Sequence, residues 1–170
     1  MERSAAGTMD ATSFRAFYER TLPHVYGYCF HRCGRHALAE DLTQETYAAA
    51  ARAMEDGVTP SLPWLLTVAR NKLVDELRRQ DHEARKLTGW WARRDPTNER
   101  GDVPDQDVRT VAALAAVPPS QRAALILHHV DGQPVAEVAR LLRRSEPAVE
   151  SLLARGRKSF RLHYRESDDE

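Results

Sequence analysis

The sequence predicts an all-α protein in which two small helical domains are joined by a flexible linker. Apolar residues recur at helical spacing through most of the 170 residues. No run of alternating β-branched residues occurs, and such runs are the usual sign of strands. The stretch 81–108 separates the two apolar parts, and much of it has too few apolar side chains to offset the entropy lost on ordering. We therefore expect a tether there.

Three helices are predicted for the first domain, which is expected over 13–80 after a flexible N-terminal tail at 1–12. The apolar pattern places its first two helices at 13–33 and 37–54. Pro23 lies within the first of these helices and is expected to interrupt it, because proline removes a backbone hydrogen bond.

The third helix is predicted to begin near Pro63, after a loop over 55–63. Proline and glycine in that loop break helices, whereas proline is favoured at the first helical position. Its apolar stripe comprises Leu62, Leu66, Ala69, Leu73 and Leu77. Polar and mostly cationic residues lie off the stripe, so we expect an amphipathic helix.

The second domain is expected over 109–165, and an acidic tail over 166–170 follows it. The turn dipeptide Asp131-Gly132 and the short connection 143–145 divide its apolar pattern. The helices are predicted over 108–117, 120–130, 134–142 and 146–164.

Composition and charge exclude several classes of protein. The chain is 42% hydrophobic and 29% charged, which excludes collagen-like and wholly disordered chains. No run of 18 apolar residues predicts a membrane span, and the first 30 residues do not resemble a secretory signal. We therefore expect a cytoplasmic location and no membrane partner. Two cysteines do not make a disulfide framework.

The zero net charge hides a basic C-terminal part. Residues 111–165 carry nine basic and four acidic groups, and 140–165 carry eight basic and two acidic groups. Such a block is typical of a nucleic-acid binder. A solvated helix face would have the same composition, so charge alone leaves both interpretations open.

The spacing of Ala139, Arg143 and Val149 is nearly that of a helix-turn-helix. A small residue lets the two helices cross closely, a residue with positive φ turns the chain, and a β-branched residue packs between the helices. Ser145 is placed to cap the second helix. Arg143 stands where glycine is usual, and left-handed backbone is costly for other residues. The alternative is an ordinary helical hairpin.

Two segments then carry a family resemblance. Residues 39–47 read AEDLTQETY, and residues 64–79 read WLLTVARNKLVDELRR. They resemble the two signatures of region 2 in the extracytoplasmic-function class of bacterial sigma factors. Residues 114–122 and 131–157 resemble the opening and the helix-turn-helix of region 4 in that class. The four motifs follow one another in the family's order.

The resemblance implies roles for the first domain. Region 2 docks on the β′ clamp helices of core RNA polymerase, and the matching polar residues are Asp41, Gln44 and Glu45. It also melts the −10 element of the promoter, and the polar, mostly cationic residues implied for that DNA are Arg70, Asn71, Arg78 and Arg79. A pocket for a flipped base would lie in the loop 55–63, which lacks an aromatic residue. For the first set the alternative is a solvated acidic face or an internal salt-bridge row. For Arg70 and Asn71 it is solvation of the helix surface together with packing against the first helix.

The resemblance implies that the second domain reads the −35 element and contacts the β flap. Its DNA-facing residues would be Arg144, Glu150, Ser151, Arg155, Arg157 and Lys158. Of these, Glu150, Ser151 and Arg155 match base-contacting positions, and a carboxylate there would accept from a cytosine amine. The remaining three would hold phosphates, which position a protein on DNA without specifying sequence. An anti-sigma factor is a further partner common in the family.

Other clusters predict no second site. Cys29 and Cys33 lie one helical turn apart near three histidines, but we predict no metal and no cofactor, because a tetrahedral ligand set is not evident. Trp90-Trp91 is open to two interpretations, a packed end of the first domain or an anchor for a partner protein.

We therefore predict a sigma factor that binds core RNA polymerase and promoter DNA and starts transcription. No phosphate-cradling, dinucleotide or zinc-protease motif is present, so an enzyme is not expected. The alternatives are a free-standing helix-turn-helix regulator that binds operators without polymerase, and, more remotely, a sequestering module without a DNA role.

Overall fold

A computed structural model of the chain describes the backbone of residues 11–86 and 105–166. Side chains are described over 12–86 and 108–165. Every regular element in these ranges is helical, which confirms the all-α prediction. Both tryptophans of the predicted linker lie outside the described residues, as do most of the two predicted tails.

The first half of the molecule consists of α1 (Ala11–Cys33), α2 (His36–Glu55) and α3 (Leu62–Lys86). The predicted interruption at Pro23 was wrong, because α1 runs through this residue. The buried side chains of Phe17 and Val25 hold the helix against its neighbours on either side of the proline. Packing of this kind outweighs the loss of one backbone hydrogen bond.

Helix α3 provides much of the core of the first half. Its buried side chains are Leu65, Ala69, Leu73, Val74 and Leu77. The helix continues to Lys86, six residues beyond the predicted end of the domain at residue 80. Ion pairs along this extension, between Arg79 and Glu83 and between Arg85 and Asp81, fit the helical spacing of four residues.

The second half consists of α4 (Asp105–Ala116), α5 (Pro119–Leu125), a π-helical turn (Ile126–Val130), α6 (Val135–Leu142) and α7 (Glu146–Glu166). The sequence predicts one helix over 120–130, and the structure divides it into α5 and the π turn. The wider turn closes when the Asp131 N–H donates to the Ile126 carbonyl, five residues back, at 2.8 Å.

Helices α6 and α7 form the predicted helix-turn-helix. Ala139 and Val149 are both buried where the helices cross. Arg143 has the left-handed backbone that the turn requires, with φ 53° and ψ 49°. The Ala148 N–H approaches the Ser145 hydroxyl oxygen at 3.4 Å, as expected for a cap. The turn between α6 and α7 therefore keeps its usual geometry although arginine stands at position 143.

The two halves pack against each other. Helix α3 contacts α5 and α6, and α1 contacts α4. Gly34 lies at this boundary, since a Cβ built on it would come within 2.9 Å of the Ala115 Cβ. The buried side chains of both halves form one continuous apolar cluster. No helix in the described ranges is both long enough and apolar enough to span a membrane.

Both cysteines belong to this core. Cys29 and Cys33 are completely buried in the last turns of α1. Burial raises the pKa of the Cys29 thiol to about 11, although a hydrogen bond with Thr43 opposes the shift. Burial also raises the pKa of Cys33. Both groups are therefore neutral thiols that fill space at physiological pH.

Replacing Arg143 with glycine should stabilise the fold. The substitution removes a strain of about 1–2 kcal/mol, part of which the greater freedom of glycine in the unfolded chain offsets. We expect a net gain of about 0.5–1 kcal/mol in the free energy of unfolding, measured by urea denaturation. Arg140→Gly, inside α6, is the control and should destabilise by about 1 kcal/mol. Equal losses in both variants would contradict the left-handed turn.

The buried thiols should resist alkylation. At pH 8 a group with a pKa of about 11 is about one-thousandth thiolate, and its burial slows the reaction further. Iodoacetamide should therefore modify the native protein about 100-fold more slowly than the protein unfolded in guanidinium, as followed by mass spectrometry. Ala48→Cys, at an exposed position of α2, is the control and should react quickly in the native state. Comparable rates at all three cysteines would show that the core thiols are accessible.

Candidate nucleic-acid interface

The predicted polymerase-binding residues form an exposed row on α2. Asp41, Gln44 and Glu45 are all exposed, whereas Leu42 and Thr46 on the other side of the helix are buried. The Glu45 carboxylate lies 3.1 Å from Nζ of Lys72 on α3. This pair is substantially exposed, so its separation costs little when a partner replaces it.

The residues predicted for the −10 element, three arginines and Asn71, differ in accessibility. Asn71 and Arg79 are exposed on α3, and Arg78 is half-buried. Arg78 pairs with Asp75 at 2.9 Å, and Arg79 pairs with Glu76 at 2.8 Å and with Glu83 at 2.6 Å. These carboxylates hold the arginines in ordered positions, and a phosphate backbone offers the same bidentate contact.

Arg70 is more enclosed than the rest of this set. It is half-buried, and its Nε is buried without a hydrogen-bond partner. Its charge lies near enough to act on both Tyr28 of α1 and Glu137 of α6. The structure therefore does not place all four predicted residues on one open surface.

The loop before α3 offers little to a flipped base in this arrangement. Val58 is exposed, whereas Trp64, the nearest aromatic residue, packs partly against the core. The sequence prediction of a base pocket in this loop stays a prediction.

The outer face of α7 carries the predicted −35 residues. Glu150, Ser151, Arg155, Arg157 and Lys158 are all exposed. The opposite face packs on the rest of the second half through the buried side chains of Val149, Leu152 and Leu153. The Arg155 Nε–H donates to the Ser151 carbonyl at 3.3 Å, which directs this side chain along the helix surface.

Gly156 sets the position of this helix. A Cβ on Gly156 would lie 3.0 Å from Leu125 Cγ and 3.2 Å from the Gln121 carbonyl of α5. Glycine therefore permits the close approach of α5 and α7, and this contact directs the outer face of α7 away from the core.

Arg144 departs from the rest of the −35 set. Its Nη2 lies 3.5 Å from Oδ2 of Asp81 on α3, in the other half of the molecule. A cleft of about 430 Å³ lies between the halves here, and Arg78, Arg79, Arg143 and Arg144 are among its lining residues. The structure thus brings parts of the −10 and −35 sets together across one cleft.

Sequence reasoning missed the residues that join the halves. Arg122 of α5 is 7% exposed and donates to the Gln80 side chain of α3 at 3.3 Å. Asp131, predicted only as a turn residue, forms an ion pair with Arg32 at 2.6 Å. The partners in these contacts lie 42 and 99 residues apart, so no local sequence pattern predicts the contacts.

The histidines near the buried cysteines are dispersed. His24 and His31 are exposed on α1, and the His36 ring stacks on Phe30. Among the residues with described side chains, no three histidine, cysteine or acidic side chains come together as a set that could hold a metal ion.

Comparisons with known proteins find matches to both halves of the chain. The family model for Sigma-70 region 2 matches residues 17–83, and the model for Sigma-70 region 4 matches residues 108–160. A solved structure of the sigma factor RpoE, bound to the anti-sigma factor NepR from Bartonella quintana, has a similar fold with a TM-score of 0.52. The match covers 91% of this chain and 98% of that one at 22% identity, so it bears on the fold alone.

Curated relatives extend over most of the chain. The RNA polymerase sigma factor CarQ of Myxococcus xanthus is 31% identical over 95% of this chain and 93% of its own length. The ECF RNA polymerase sigma factor BldN of Streptomyces coelicolor is 32% identical over 89% of this chain. The match spans 60% of the length of BldN. The chain therefore belongs to the extracytoplasmic-function group of the sigma-70 family, the RNA polymerase subunits that direct promoter recognition.

Proposed function

We propose that the two halves divide the work of promoter recognition. The first half docks on the β′ clamp helices of the polymerase and melts the −10 element. The second half reads the −35 element and contacts the β flap. The observation that carries this proposal is the outer face of α7, which presents five polar side chains on a helix-turn-helix whose inner face is buried. An α-helix of this kind fits the major groove of DNA.

The residues of α7 suit different parts of the DNA. Arg155 is proposed to read a base edge, since a guanidinium donates two hydrogen bonds to guanine. Glu150 is proposed to accept from a cytosine amine, because a carboxylate is repelled by phosphate. Arg144, Arg157 and Lys158 are proposed to hold phosphates and so set the register.

The arginines of α3 are proposed to hold the strand that separates at the −10 element. Arg78 and Arg79 are already aligned by carboxylates, which the phosphates of DNA would replace. Asn71 is exposed beside them. Arg70 joins this set only when the two halves separate and its half-buried guanidinium becomes accessible.

Polymerase docking is assigned to the exposed row of α2. Asp41 and Gln44 are accessible, and Glu45 lies one helical turn from Asp41, so one partner surface can meet all three side chains. The proposed first domain is 13–80 extended to residue 86 by the end of α3, the proposed second domain is 109–165, and the linker between them shortens from 81–108 to 87–108.

Location, chemistry and regulation follow from the same role. We propose a cytoplasmic location, where the polymerase works, and no enzymatic activity of the chain itself, because the polymerase joins the nucleotides. An anti-sigma factor is a proposed partner, since the solved relative RpoE is bound to one. A free-standing regulator that works without polymerase remains the competing proposal, and transcription assays separate the two.

Core polymerase should bind the chain through α2. Replacing Asp41, Gln44 and Glu45 with alanine should weaken binding to purified core enzyme at least tenfold, equivalent to about 1.4 kcal/mol, because three accessible polar contacts are lost. Run-off transcription over a genomic promoter library should fall in parallel. Glu19→Ala, at an exposed site of α1, is the control and should leave both unchanged.

Two outcomes would contradict this assignment. Unchanged core affinity in the triple variant would remove α2 from the interface. Tight binding to duplex DNA with no run-off product from the wild-type protein would favour the free-standing regulator.

Arg155 and Arg157 should have distinguishable roles on DNA. Arg155→Ala should cost about 1–3 kcal/mol at one promoter position and relax the preference there, because a base contact is lost. Arg157→Ala should weaken binding evenly across sequences and reduce the salt slope by about one. Binding of the holoenzyme to a set of single-base promoter variants at several salt concentrations measures both. A uniform loss in Arg155→Ala would reassign this residue to phosphate.

A further inference from the structure

A buried ion pair joins the two halves, and the proposed function does not use it. Arg32 of α1 donates from Nη2 and Nε to Oδ1 of Asp131, at 2.6 and 3.1 Å. Tyr28, one turn earlier on α1, donates its hydroxyl to Oδ2 of the same carboxylate at 2.8 Å. The Arg32 guanidinium also lies over the Tyr28 ring, 3.5 Å from its centre. These three side chains are called the latch below.

The latch is shielded from water. The side chains of Arg32 and Asp131 are 14% and 8% exposed, whereas Arg15 and Glu19, paired on the same helix, are 81% and 62% exposed. Exposed pairs contribute little, but removing one member of a buried pair leaves a charge without a partner and away from water. The latch is therefore expected to determine how firmly the halves hold together.

The π turn presents Asp131 to α1. Its wide hydrogen bond ends at the Asp131 N–H, and the Asp131 carbonyl accepts from the Gln133 side chain at 3.1 Å. The backbone of Asp131 is thus held within the second half. Both oxygens of its carboxylate bond to α1, so within the described residues this side chain serves the contact between the halves.

A second contact opposes closure. Arg122 of α5 is covered by α3, where it donates to the Gln80 side chain, and it also donates to the Ala115 carbonyl at 3.2 Å. It makes no ion pair with a described carboxylate. Burial lowers the pKa of Arg122 to about 10, and its Nε has no hydrogen-bond partner. Charged groups in such surroundings are costly, and separation of the halves would return this guanidinium to water. The closed arrangement is therefore held by the latch together with the shared apolar core, and it is weakened by Arg122.

Closure is incompatible with simultaneous binding of both promoter elements. The −10 and −35 elements are centred about 25 base pairs apart, or about 85 Å along DNA. In the structure, Arg144 of the −35 set lies 3.5 Å from Asp81 on the helix that carries the −10 set. The charge of Arg70, in the −10 set, acts on Glu137 of the second half. Both halves can engage a promoter only after they separate.

We propose that the structure is an autoinhibited closed state, in which the Tyr28–Arg32–Asp131 latch seats the second half of the chain on the α1–α3 face of the first. This inference rests on the proposed function. The α2 row stays exposed in the closed state, so the inhibition concerns simultaneous engagement of the clamp helices by the first half and of the β flap and the −35 element by the second half. Activation then requires the latch to open, and the buried Arg122 lowers the cost of that opening.

The test uses the full-length chain and two independent readouts. Energy transfer between dyes at Ala51→Cys on α2 and Arg161→Cys on α7, both exposed positions, reports separation of the halves without polymerase. Titration with purified core polymerase reports the apparent Kd. The apparent Kd equals the intrinsic value divided by the open fraction, so variants that open the latch should bind more tightly.

Arg32→Ala and Asp131→Asn should each lower energy transfer and lower the apparent Kd for core polymerase at least fivefold. Tyr28→Phe keeps the ring but loses one hydrogen bond, and should shift both readouts less in the same direction. It provides a test if Arg32→Ala fails to fold, as judged by helical circular dichroism. Arg15→Ala removes the exposed ion pair of the same helix and should change neither readout.

Three results would overturn the proposal. Wild-type energy transfer in folded latch variants would show that these side chains do not hold the halves together. Lower energy transfer without tighter core binding would show that closure does not inhibit, and it would leave the proposed function standing. Failure of the wild-type and every opened variant to bind core polymerase would refute the proposed function, and with it the inhibition.

Discussion

The burial of apolar side chains on α3 is the constraint on which the rest of the structure depends. Leu65, Ala69 and Leu73 are almost completely buried and pack the first half. Leu77, further along the same helix, reaches the boundary where α3 meets the second half. Because α3 packs both within the first half and against the second half, its charged side chains lie on the surface that neither contact covers. The cations proposed to meet DNA are therefore held in position by the same helix that holds the core together.

Many charged side chains form exposed ion pairs in which a binding partner can replace one member. The chain has equal numbers of basic and acidic residues, and many of its arginines are paired with carboxylates three or four residues away. Exposed pairs of this kind are weak, so DNA or a protein can replace one member at little cost. The outer face of α7 differs, since its exposed residues include Arg155, Arg157 and Lys158 but only one carboxylate of the −35 set, that of Glu150. Local pairing on α3 and excess positive charge on α7 would give the two halves different affinities for DNA in the absence of polymerase.

Opposing interactions hold the two halves in contact. The Arg32–Asp131 pair and the continuous apolar core favour closure. The buried guanidinium of Arg122, whose Nε has no hydrogen-bond partner among the described residues, opposes it. Gly34 and Gly156 permit close helix contacts of two kinds, one between the halves and one within the second half. Separation of the halves would therefore break the helix contact at Gly34 and leave the contact at Gly156 intact. The helix-turn-helix can then move as a unit.

The sequence by itself determined the helices, the helix-turn-helix and the family. Apolar spacing is a local property, and the motifs around Asp41, Arg70 and Val149 lie in short continuous segments, so they can be recognised without a structure. It located the turn at Arg143, where arginine is a departure from the motif, and the structure shows that the left-handed backbone is kept. Only the tertiary structure decided that α1 continues through Pro23, that α5 ends in a π turn, and that Arg70 is enclosed. It alone revealed the contact of Asp131 with Arg32, because 99 residues separate these partners and their attraction depends on how the two halves pack.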